Sequence, residues 1–65
     1  MTVEDVISRV AAIDNLKDDD EAAHGEEDEL HHDVLMAISL GAKNPQALAT
    51  EALKSSGSRF CRWCA

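Results

Sequence analysis

The chain has 65 residues, 45% of them hydrophobic, with 13 acidic residues against 6 lysines and arginines and a formal net charge of −7. That length allows one domain with a small core, and self-association in a homodimer would be one way to add burial. No apolar run approaches the ~18 residues that span a bilayer, and no basic stretch followed by an apolar one opens the chain. The expected setting is therefore the cytoplasm, without membrane contact.

The charge is unevenly spread. Residues 1–40 carry twelve of the acids with only Arg9 and Lys17, a net of −10, whereas residues 41–65 set Lys43, Lys54, Arg59 and Arg62 against Glu51, a net of +3. Such a split reads first as a solvated acidic face beside a basic end. It also suits a negative surface for a basic partner, or a basic tail for an acidic one.

The first expected helix begins at residue 3. Thr2 is a good N-cap, and Asp5 stands three residues on, as in a capping box. Val3, Val6, Ile7, Val10 and Ile13 follow the i, i+3, i+4, i+7 rule and predict one buried stripe. Asp14 and Asn15 read as its end. The acidic run Asp18-Asp19-Asp20-Glu21 is best placed at a helix N-terminus, where the dipole offsets its self-repulsion. The second helix is thus expected near residue 20, with Gly25 costing roughly 1 kcal/mol and ordered helix starting as late as residue 26. Leu30, Val34, Ala37 and Ile38, with Ala23, predict its core face. Leu35 flanks that face, while Met36 and Leu40 lie on the other side. Gly41 is placed to end the helix in a left-handed conformation. Asn44 and Pro45 form an N-cap followed by proline at the first helical position. A third helix over residues 45–56 would bury Leu48, Ala49, Ala52 and Leu53. No segment shows strand alternation.

Three short amphipathic helices bury their stripes most simply against one another. The expected fold is all-α, a small three-helix bundle over residues 1–57, with the aromatic and cysteine tail 58–65 packing on it through Phe60 and Trp63.

Cys61 and Cys64 form a C-x-x-C pair. Zinc would need two further ligands, and the histidines lie about thirty residues away. The H-x-x-x-C-x-x-C pattern fails because Gly57 stands where histidine would be needed. A redox role normally requires an adjoining sheet. Free thiols and no cofactor are expected, with a zinc-stabilised module on Cys61 and Cys64 as an alternative. Glu21 with His24, and Glu29 with His32, match the Glu-x-x-His element of di-iron bundles. Those sites draw ligands from facing helices, and here the residues share one helix. His24, Asp28 and His31 lie along one stripe with Glu27 nearby, which reads as i, i+3 and i, i+4 pairing on a wet face.

Residues 36–54 have the spacing of a helix-turn-helix, in Ala37, Gly41 and Ala47, although Thr50 occupies a position that is usually apolar. Lys43, Gln46 and Lys54 would meet nucleic acid, and Glu51 would repel phosphate. Nucleic acid is a disfavoured partner on charge grounds. No nucleophile elbow, phosphate loop or acid pair in a cleft is present, so no enzyme is expected.

The block Glu27-Asp28-Glu29-Leu30-His31-His32-Asp33-Val34-Leu35-Met36-Ala37-Ile38, then Gly41-Ala42, Pro45, Leu48-Ala49, Glu51-Ala52-Leu53-Lys54 and the ending Phe60-Cys61-Arg62-Trp63-Cys64-Ala65, resembles small uncharacterised proteins of actinobacteria and their phages that end in a similar Arg-Trp-Cys-Ala. The resemblance covers roughly residues 26–65. It implies a cytoplasmic accessory protein encoded by host or phage, and it implies no activity. The functional expectation is a non-enzymatic, acidic protein-interaction module. An unidentified protein partner would be met by Asp28, Glu29 and Asp33 or by the tail residues Phe60, Arg62 and Trp63.

Overall fold

A computed structural model describes residues 1–16 and 18–57. The expected three-helix bundle is present: α1 over Val3–Asn15, α2 over Asp20–Ser39, α3 over Pro45–Leu53 and a closing 3₁₀ turn over Lys54–Gly57. Among the described residues there is no strand, and no helix is long and apolar enough to cross a membrane. The expected packing of the tail 58–65, and with it Phe60, Cys61, Arg62, Trp63 and Cys64, lies outside the described residues.

Each helix begins and ends for a local chemical reason. At the start of α1, the Thr2 hydroxyl accepts from the Asp5 backbone N–H at 3.2 Å, and the Asp5 carboxylate accepts from the Thr2 N–H at 2.8 Å. Two otherwise orphaned donors are thereby satisfied reciprocally. The same contacts, the Thr2 backbone N–H foremost, hold the Asp5 carboxyl below its ordinary value. Asp19 caps α2 by accepting from the Ala22 N–H at 3.2 Å. Gly25 does not delay that helix, which is continuous from Asp20.

The α2 terminus is a Schellman motif. The Gly41 N–H donates to the Ile38 carbonyl and the Ala42 N–H to the Ala37 carbonyl, both at 3.0 Å. Gly41 takes the left-handed φ of 87° that this closure requires. Two details of α3 differ from expectation. Asn44 itself is left-handed, at φ 57°, and its side chain makes no capping bond, so Pro45 alone starts the helix from the first-turn position. The α-helix also stops at Leu53, and the chain tightens into the 3₁₀ turn, carrying Ser55 into the interior.

The core is Val6 and Ile13 from α1, Ala23, Leu30 and Val34 from α2, and Leu48 and Ala52 from α3, with Val3, Val10, Leu16, Ile38 and Ala42 packed at its edge. Every helix touches the other two. Two large stripe residues are exposed: Ile7 at 48% and Leu53 at 64%. Ile7 stands about 100° around the helix from Val6 and so falls off the edge of a face that two neighbours are enough to cover.

Candidate interaction surface

α2 supplies most of the chemistry available on the described surface. Its 20 residues include seven carboxylates and no lysine or arginine. Glu27 is drawn into the core at 5% exposure. Asp33 accepts from Arg9 of α1 at 2.7 Å, an interhelical ion pair that leaves both side chains partly exposed. Glu21, Glu26, Asp28 and Glu29 remain on the exposed side. The three residues expected to meet a partner from α2 are thus not equivalent. Asp28 and Glu29 face solvent, while Asp33 helps to hold α1 against α2.

The C-terminal third of the same helix and the Leu40 that caps it turn apolar side chains outward. Leu35 is 68% exposed and Leu40 80%. Leu35 and Leu53 lie on either side of a groove of about 270 Å³ between α2 and α3, completed by His31, Val34, Ala49 and Ala52. An α-helix shares out its positions every 3.6 residues, so a residue five along from Leu30 must leave the core line.

The least anticipated arrangement is polar and internal. The fully buried Ser55 donates its hydroxyl proton to the Glu27 carboxylate at 2.7 Å. The His31 Nε2 lies 3.1 Å from the same hydroxyl and 3.4 Å from the Ala52 carbonyl. A carbonyl can only accept, and the single hydroxyl proton already points to Glu27, so Nε2 carries the histidine proton and donates. The assembly pins α2 to the C-terminal end of α3. It has the residue types of a hydrolytic triad but not the geometry, since the histidine donates to the serine instead of receiving its proton and the serine oxygen is sealed from solvent. His31 is therefore not on the wet face to which the sequence stripe assigned it. A usable signal was present, because Glu27 falls between Ala23 and Leu30 on the buried line of α2.

The other histidine pairing is as expected. His24 Nε2 lies 3.5 Å from Asp28 at i, i+4. Among the described residues no group of three histidines, cysteines or acids stands close enough to hold a metal ion. Cys61 and Cys64 lie outside the described residues. Of the residues assigned to nucleic acid, Lys43 sits exposed in the turn before α3 and Gln46 is exposed on its first turn. Lys54 is paired with Glu51 at 2.8 Å. No family model, curated protein or solved structure matches this chain.

Proposed function

We propose that this chain is a non-enzymatic protein-interaction module whose working surface is the outer side of α2 with its α3 flank. One observation carries the reading. Among the described residues, a core of seven apolar side chains leaves Leu35 and Leu53 at 68% and 64% exposure, together in one groove between the most acidic helix and α3. Contiguous apolar surface rimmed by polar residues is characteristic of protein contact sites, and burying it is the principal gain of association. The resemblance to small actinobacterial and phage proteins is in keeping with an accessory role of this kind.

The test is affinity capture from the source cell with full-length chain. Wild type is compared with Leu35→Asp/Leu53→Asp, with Asp28→Lys/Glu29→Lys and with Phe60→Ser/Trp63→Ser, after circular dichroism has shown equal helicity. Loss of a specific partner with either of the first two variants supports the reading. Capture unchanged by both refutes it, and loss confined to the third variant moves the contact to the tail.

A further inference from the structure

We infer that the α2–α3 groove is a seat for a basic amphipathic helix of a partner protein; this rests on the interaction-module reading and specifies its ligand. Three features converge on that occupant. The groove is apolar and open, about 270 Å³, room for one or two anchoring side chains. Its walls are helices whose backbone groups are already bonded within themselves, and among the described residues no sheet edge is on offer. A docking segment must then satisfy its own backbone, which a helix does.

The third feature is charge along the axis. Asp28 lies seven residues, and Glu21 fourteen residues, N-terminal to Leu35 on α2, about 10 and 21 Å away at 1.5 Å per residue. Seven residues are close to two full turns, so all three positions share one side of the helix. Both carboxylates are on exposed residues; α2 has no lysine or arginine to offset them, and only the His24 imidazole, 3.5 Å from Asp28, stands beside the track. An apolar seat thus runs on into a negative track. The matching helix carries apolar anchors at i and i+4 and lysine or arginine about two and four turns further along. Nucleic acid and anionic lipid are repelled by the same track. A second copy of this chain, itself at −7, would bring acidic surface toward acidic surface in a two-fold pairing.

The probe is a labelled synthetic peptide of about 18 residues with leucines at i and i+4 and lysines at the two- and four-turn positions. Its controls are a scrambled peptide of equal composition and a version with glutamate in place of lysine. Binding to the full-length chain is read by fluorescence anisotropy at low and high salt. The patterned peptide should bind more tightly than either control. Leu35→Asp should weaken it by about tenfold or more, and Glu21→Lys/Asp28→Lys should weaken it and flatten its salt dependence. All of these positions are exposed, and circular dichroism confirms that the variants stay folded.

Equal binding of the scrambled peptide, or indifference to Leu35→Asp, overturns the inference. So does sedimentation showing a dimer of the chain alone that Leu35→Asp dissolves, which would give the seat to a second copy. Binding that appears only in Phe60→Ser/Trp63→Ser overturns it in favour of the chain's own tail. If the peptide fails while Leu35→Asp/Leu53→Asp still abolishes cellular capture, the chemistry of the occupant is wrong and the interaction module stands.

Discussion

Replacing Ser55 with alanine should be among the most damaging single-atom changes in this protein. The hydroxyl is fully buried and links Glu27 of α2, at 2.7 Å, with His31, at 3.1 Å. A bond to a charged acceptor contributes about 1.5–3 kcal/mol and a neutral one about 1 kcal/mol. Removal takes one partner from the buried Glu27 carboxylate and one from the half-buried His31, so the expected loss is about 2–4 kcal/mol. A 65-residue domain has in total about 3–10 kcal/mol at the usual ~0.05–0.15 kcal/mol per residue. A large share of the stability therefore depends on one oxygen.

Urea titration followed by circular dichroism at 222 nm gives the loss directly. With a slope of ~1 kcal/mol per molar urea, the midpoint should fall by about 2–4 M or the protein should be unfolded at the outset. Glu27→Leu supplies the partner variant, and the double variant Glu27→Leu/Ser55→Ala closes the cycle. Because the polar pair is removed together, the double variant should cost less than the sum of the singles, by about 0.5–3 kcal/mol. A Ser55→Ala protein within ~0.5 kcal/mol of wild type, or strict additivity in the cycle, would refute the claim that this network holds α2 to the end of α3.

Four further expectations test other parts of the account. Leu30→Ala should cost about 2–5 kcal/mol, whereas Leu35→Ala, at a position 68% exposed, should stay within ~0.5 kcal/mol; both are read from denaturation midpoints. Gly41→Ala should destabilise, by about 1–2 kcal/mol, because its φ is 87° and a side chain resists that conformation, while Gly25→Ala should stabilise by about 0.5–1 kcal/mol, since an added Cβ there meets nothing within 4 Å. Breaking Arg9–Asp33 should give a coupling of about 0.2–1 kcal/mol in a double-mutant cycle, shrinking with salt, because both side chains are partly exposed. Asp5 has a folded pKa below its ordinary value of 3.8, so its contribution is complete above that pH and is lost as pH falls through the folded value. The stability gap between wild type and Asp5→Asn should accordingly be full at pH 7 and narrow on acidification below 3.8, and a gap independent of pH would contradict the capping box.

The sequence by itself determined where the helices begin and where α1 and α2 end, because those signals are local. Thr2 with Asp5, the acidic residue Asp19 ahead of α2, Gly41 and Pro45 each act on backbone groups within a few residues of themselves. It also determined the main line of each core face, since Val6, Ile13, Leu30, Val34, Leu48 and Ala52 follow from helical periodicity alone. Tertiary structure decided the rest. Which of two flanking residues is covered depends on where neighbouring helices cross, and so Ile7 and Leu53 stay outside a face to which periodicity admits them. The 3₁₀ turn that carries Ser55 inward, and the union of Ser55 with Glu27 and His31 across 24 to 28 residues of chain, depend on the packing of α3 against α2. Short-range rules reach about one helical turn, whereas that polar contact and the groove beside it exist only once two helices share a side.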